Sequence, residues 1–423
     1  MDTPDAHRAI DAVWRIESAR LIAGLTRIVR DMGLAEDLAQ DALVAALEQW
    51  PATGVPDKPG AWLMATAKHR AIDRLRRERM IEQKHLEIAN ELEAAQAVAP
   101  DLEAAIDDEV FFGDDMLRLM FIACHPVLAV EARVALTLRV IGGLTTPEIA
   151  RAFLVPEPTI AQRIVRAKRT LAEARVPFEI PRGAALAERI SSVLGVIYLV
   201  FNEGYSATAG DDLMRPALCE DALRLGRILA ELAPQEPEVH GLVALMEIQA
   251  SRARARVNAA GEPILLLEQN RSRWDALLIQ RGLAALKRAE ALSGTLGEYA
   301  LQAAIAACHA RARTAAETDW ERIAALYDAL AQLHPSPVVE LNRAVAHGFA
   351  FGPAAGLELV DALQAEGSLE SYHLLPSVRG ELLSQLGRLD EARAELARAA
   401  AMTRNARERK MLLERAAGLP ERP

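Results

Sequence analysis

Apolar residues Val13, Ile16, Leu21, Leu25 and Ile28 recur at helical spacing and predict a first helix from His7 to Asp31, ended by Gly33. A second helix follows from about Ala35 to Gln49. The stretch WPATGVPDKPG, residues 50–60, breaks the pattern with three prolines and two glycines and reads as a loop. A third helix runs from about Ala61 to Met80. Residues 82–110 are weakly periodic and acidic, with Glu82, Glu87, Glu91, Glu93 and Asp101 among them, and read as a linker. From 114 to 175 helical periodicity returns. At its end Thr146 is placed to cap a short helix with Pro147 at the first position, and that helix ends near Leu154. Pro156 and Pro158 bracket a tight turn before a helix from about Thr159, which together make a helix-turn-helix.

The proline-marked VPFEIPRG, residues 176–183, closes this part of the chain, and the remainder is helix after helix. Near the end Gly380, Gly387, Ala392 and Ala399 fall at the small-residue spacing of a tetratricopeptide repeat, where small residues let paired helices pack closely. DWERIAALYDALAQLHPSP is similar to the second helix of such a repeat, ending at Pro335. The expected fold class is all-α.

Composition agrees. Of 423 residues 51% are hydrophobic, 26% charged and 4% aromatic, with Ala, Leu, Glu and Arg dominant, a mix that favours helices. The net charge of -10 weighs against a uniformly basic nucleic-acid binder, but binding depends on local patches, and the basic residues cluster. Cys124, Cys219 and Cys308 are far apart and form no CxxC pair, so no disulfide framework, structural metal or cofactor is expected. The N-terminal MDTPDAHR lacks a signal-peptide pattern, and the longest apolar run, Val193 to Phe201, is well short of a bilayer span, so a cytoplasmic location is expected.

Three constellations carry chemistry. In AEDLAQDALVAALEQW, Asp37, Gln40, Asp41 and Glu48 lie on a polar face suited to a basic partner, although a solvated helix face has the same pattern. In AWLMATAKHRAIDRLRRERM, Trp62 anchors a helix bearing Lys68, Arg70, Arg74, Arg76, Arg77 and Arg79, whose cations add sequence-independent affinity for phosphates. On the last helix Thr159, Gln162, Arg163 and Arg166 share one face, with Gln and Arg suited to adenine and guanine edges, while Lys168 and Arg169 are placed to hold phosphates.

In order and spacing these segments resemble the extracytoplasmic-function sigma factors of the sigma-70 family. AEDLAQDALVAAL resembles the family's polymerase-clamp-binding helix, AWLMATAKHRAIDRLRR its −10 reading helix, and LTTPEIARAFLVPEPTIAQRIVRAKRTL its −35 helix-turn-helix. The resemblance implies region 2 over residues 1–81, an acidic linker over 82–113, region 4 over 114–176 and a tetratricopeptide-like extension over 183–423. It implies that Asp37, Gln40, Asp41 and Glu48 contact core RNA polymerase. Trp50, Thr53, Lys58, Trp62, Lys68, His69, Arg70, Asp73, Arg74, Arg76 and Arg77 would contact −10 DNA, the Trp50 to Lys58 loop capturing a flipped base. Two positions depart from the family: His69 stands where Asn is usual, and Ala161 where Lys is common.

In the extension, YLVFNEGYSA, LLEQNRSRWD and DWERIAALYDAL resemble a sigma subgroup with a tetratricopeptide-like tail. Asn202 and Glu203 with Arg271, Arg273, Trp274 and Asp275 are candidates for a polar site or for buried structural hydrogen bonds. The function implied is a promoter-directing sigma factor that binds polymerase core and promoter DNA, with the extension modulating activity and taking a protein or peptide partner. The alternative is a helix-turn-helix regulator with repeats that never joins polymerase. No catalytic motif supports an enzyme.

Overall fold

A computed structural model describes residues 3–89, 112–153, 155–206, 214–258, 262–403 and 405–420. Among them the protein is all-α, with eighteen α-helices, short 3-10 turns, no strand, and one isolated bridge between Val257 and Pro263. The chain forms two compact units, Met1–Val196 and Ile197–Pro423.

In the first unit, α1 (Thr3–Val29), α2 (Met32–Thr53) and α3 (Pro59–Ala89) pack on one another. The turn after α1 falls earlier than Gly33: Arg30 adopts φ 53°, and the Asp31 carboxylate accepts from the Leu34 N–H at 2.8 Å to cap α2. Helix α2 also runs past Gln49, through Pro51 to Thr53, so the expected loop shrinks to Gly54–Lys58. Much of the expected acidic linker, residues 90–111, lies outside the described residues.

Next come α4 (Phe112–Ala123), α5 (Val130–Val140), α6 (Thr146–Ala152) and α7 (Glu157–Glu173). The cap of α6 is Thr145 rather than Thr146: its side chain and Glu148 form a reciprocal capping box, with the Thr145 N–H donating to the Glu148 carboxylate at 2.7 Å. On α7 the buried stripe Ile160, Ile164, Ala167 and Leu171 faces the unit's core, each aliphatic contributing about 1.5–3 kcal/mol, and α7 packs on α5 and α6.

Helix α8 (Ala184–Tyr205) begins in the first unit and ends in the second. At 22 residues it is long and apolar enough, by length and composition, to cross a bilayer, which the apolar run from Val193 to Phe201 did not suggest. Of its apolar side chains Ile190, Val193 and Leu194 are buried while Leu199 is exposed, and Ser192 donates to the Cys124 carbonyl and accepts from Arg133.

In the second unit successive helices pack side by side, from α9 (Pro216–Leu232) and α10 (Pro237–Ser251) through α11 (Ala276–Leu292), α12 (Glu298–Arg311), α13 (Trp320–Leu333), α14 (Pro337–Phe351) and α15 (Pro353–Glu366) to α16 (Leu374–Gln385), α17 (Leu389–Met402) and α18 (Ala406–Ala417). Gly380 brings α16 against α17, where a Cβ would stand 3.2 Å from the Ala392 carbonyl, and Gly387 ends α16 at φ 75°. Ala392 and Ala399 are fully buried, as small residues at a close helix crossing should be.

Candidate nucleic-acid interface

On α2, Asp37, Asp41 and Glu48 are exposed in one stripe, with Val44 among them at 49% exposure. This is a surface with acids at its ends and an apolar residue between. Gln40 is half-buried and turns aside, donating to Glu36 at 2.9 Å.

Across from this stripe α3 carries the basic run. His69, Asp73, Arg74, Arg76 and Arg77 are exposed, while Lys68 and Arg70 are half-buried; the Arg70 guanidinium donates to the Asp41 carbonyl at 2.5 Å. The Arg79 side chain lies outside the described ones. Thr53 and Lys58 are exposed beside the shortened loop. Trp50 is not: at 1% exposure it is a core residue, edge-on to the half-buried Trp62 with ring centres 5.3 Å apart. In this structure the Trp50 ring therefore has no surface to offer an unstacked base.

Helix α7 presents Gln162, Val165, Arg166 and Arg169 outward, with Thr159 and Arg163 half-buried at the edge. Arg169 pairs with Glu173 at 2.6 Å, an exposed i,i+4 pair. Lys168 departs from its expected place. Its ammonium lies 2.5 Å from the Glu36 carboxylate of α2, whose other oxygen takes the Arg139 guanidinium of α5 at 2.8 Å. Glu36 is 4% exposed. Burial by itself raises its carboxyl pKa, but Lys168 and then Arg139 outweigh that and hold it below the ordinary value of 4.5. A second link joins the same parts: Asp115 of α4, 2% exposed, takes Arg27 of α1 at 3.1 Å and Arg118 at 2.7 Å.

Glu36 was missed in the sequence because it abuts the acidic stripe and reads as one more of its members. The available signal was its register, beside Ala35 and Ala39 on the buried side of the helix.

In the extension the expected polar site divides. Glu203 pairs with Arg215, Asp275 caps α11 by accepting from Leu277 N–H and Leu278 N–H, and Arg273 is exposed. Asn202 is half-buried and hydrogen-bonds Tyr198. Arg271 instead lies over the Trp274 ring, as does Arg252, from the SRARAR run whose Arg256 lies over Tyr205.

An acidic helix, a basic helix and a helix-turn-helix in that order define the class of sigma-70 proteins. The sequence profile of sigma-70 region 2 matches residues 16–80, that of sigma-70, region 4 matches 118–171, and a family of unknown function (DUF6596) matches 189–290. The ECF RNA polymerase sigma factor SigK of Mycobacterium bovis is 30% identical over 158 residues, 36% of this chain and 78% of its own length. The probable ECF RNA polymerase sigma factor SigI of Mycobacterium tuberculosis is 28% identical over 173 residues, 40% of this chain and 57% of its own length. The chain belongs to the extracytoplasmic-function sigma factors. Almost its whole length is matched by uncharacterized protein R00370 of Rhizobium meliloti, 44% identical over 390 residues, 92% of this chain and 90% of that one. No solved structure matches.

Proposed function

We propose that this sigma factor brings core RNA polymerase to specific promoters in the cytoplasm, using the α2 stripe for core, α3 with the Gly54–Lys58 loop for the −10 element, and α7 for the −35 element. The observation that carries this reading is the exposed Asp37, Asp41 and Glu48 stripe in the same chain as an exposed Gln162 and Arg166 face. A regulator that never joins polymerase needs only the second. In transcription with purified core the protein should direct initiation at discrete start sites. Reversing Asp37 and Asp41 to Lys should abolish core pull-down with helicity unchanged, because like charges now meet at the interface. Retained pull-down would remove the assignment.

The closed pairing of Glu36 with Lys168 bears on this role. Elements named −10 and −35 lie about 25 base pairs apart, on the order of 80 Å of duplex at about 3.4 Å per step. Helices that read both cannot stay joined at 2.5 Å, so on the promoter the Glu36–Lys168 pair must part. Lys168 is then free to take the phosphate contact its sequence position suggests.

The tetratricopeptide-like extension is proposed to modulate activity in cis and to take a protein or peptide partner, since a fused domain acts at high effective concentration. Its removal is best made after Ser206, because a cut at Pro181 would also strip the first-unit contacts of α8 with Cys124 and Arg133. The shortened protein should keep core binding and change promoter output several-fold. Equal output would make the extension a passenger.

A further inference from the structure

The second unit gathers one buried arginine, Arg252, and two half-buried ones, Arg256 and Arg271, on aromatic rings, with no carboxylate in direct contact with them among the described residues. Arg252, just past α10, is 8% exposed, and its guanidinium lies 5.8 Å from the ring centres of both Tyr205 and Trp274. Arg256 lies 3.7 Å from the Tyr205 ring centre and donates to the Tyr205 carbonyl. Arg271 lies 5.0 Å from the Trp274 ring centre and is held by the carbonyls of His309 and Ala312, at 2.6 and 2.7 Å, and the Thr318 hydroxyl at 3.0 Å.

Aromatic faces attract these guanidinium groups, yet they accept no conventional hydrogen bond. Three buried nitrogens have no partner: Arg252 Nε, Trp274 Nε1 and His309 Nδ1. Trp274 and His309 are each 7% exposed. Among the described residues no carboxylate pairs with Arg252, Arg256 or Arg271. Glu203 and Glu247 are taken by Arg215 and Arg227, and Glu317, whose charge reaches Arg271 without touching it, accepts from the Arg313 N–H. The cations press on one another. Burial, then the charges of Arg252 and Arg271, push His309 down to about 4, which leaves its ring neutral at pH 7.

A buried charge is normally paired, and buried donors are normally satisfied. A guanidinium fork flanked by further cations matches the geometry of a carboxylate or phosphate. We propose that this cluster is a binding site for a small oxyanion, with Arg252 and Trp274 as donors and Arg256 and Arg271 as the surrounding positive charge. The enclosure of Arg252 and Trp274 limits the occupant to a small anion or the anionic end of a metabolite. Carboxylate and phosphate share this chemistry. The proposal rests on the second unit alone and stands whether or not promoter recognition proceeds as above.

The test titrates the full-length protein with inorganic phosphate and, separately, with acetate, at constant ionic strength, reading thermal unfolding and calorimetric heat. A saturable rise in Tm is expected with at least one of them, and the responding anion names the source. Arg252→Gln should abolish the saturable rise, and Arg273→Gln, at an exposed position, should retain it. In case Arg252→Gln unfolds, Trp274→Phe removes only the indole donor and should weaken binding roughly tenfold. The proposal is overturned if neither anion gives a saturable response, or if Arg252→Gln or Trp274→Phe binds as the parent does.

Discussion

The two units solve the burial of charge in opposite ways. In the first, one buried carboxylate, Glu36, is met by two cations, Arg139 and Lys168, on two other helices. In the second, Arg252, Arg256 and Arg271 gather around aromatic rings, with no carboxylate paired to them among the described residues. The first arrangement is neutralised in charge and holds helices together. The second carries unspent donors, Arg252 Nε and Trp274 Nε1. Charge that the fold encloses thus acts as a clasp where it is neutralised, and on the proposal above serves as a binding site where it is not. The clasp joins α2 to α5 and α7, and under the proposed promoter reading α2 parts from the other two.

The comparison predicts opposite outcomes for removing the central charge. Glu36→Ala leaves two cations without their partner and should destabilise the free protein by about 3 kcal/mol, the usual cost of breaking a buried pair. Arg252→Met removes a charge that lacks a partner and should cost far less in anion-free buffer, or raise stability. Urea unfolding reads both. Equal losses in the two variants would erase the distinction. If the clasp opens on the promoter as proposed, complexes formed with core should survive Glu36→Ala.

A finer contrast lies within α7. Arg166 is exposed on the outward face of α7, whereas Lys168 is tied to Glu36. Arg166→Ala should cost about 1–3 kcal/mol at promoters that carry its base and change the ranking of −35 variants. Lys168→Ala should leave the ranking alone and reduce the salt dependence of binding by about one phosphate contact. Binding to a panel of mutated −35 elements separates them. An unchanged ranking with Arg166→Ala removes the reading-face assignment.

Much of this was legible beforehand. The helices, the helix-turn-helix and the exposed polar stripe follow from periodicity of apolar residues, which responds to burial directly. The mistakes arose where burial and polarity part company. The three prolines and two glycines of residues 50–60 predict a loop that includes Trp50, but α2 continues through Pro51 to Thr53 and the indole packs on Trp62. Thr146 was taken as a cap because it precedes Pro147, whereas Thr145 stands three residues before Glu148 and closes a capping box. Glu36 and Arg252 are charged residues that the fold buries, and only contacts between distant segments reveal their partners. Sequence order brought Arg271 and Trp274 to notice, but not the Arg252 that shares the Trp274 ring.

The smallest predicted effect uses pH to separate the two clusters. His309 has its folded pKa lowered from 6.5 to about 4 by burial and the neighbouring Arg252 and Arg271 charges. The unfolded chain therefore binds a proton that the folded one refuses, and stability falls as pH drops from 6.5 towards 4. Between pH 7 and 5.5 this amounts to about 1 kcal/mol. Glu36 behaves otherwise. Its folded pKa lies below 4.5, so its contribution is complete above 4.5 and is lost only as pH falls through the folded value. Urea unfolding at pH 7 and 5.5 should show the parent losing about 1 kcal/mol more than His309→Gln, because the variant has no imidazole to titrate. Glu36→Gln should lose as much as the parent over the same interval. If parent and His309→Gln decline in parallel, the imidazole does not sit against uncompensated cations, and the contrast between the two clusters loses its electrostatic basis.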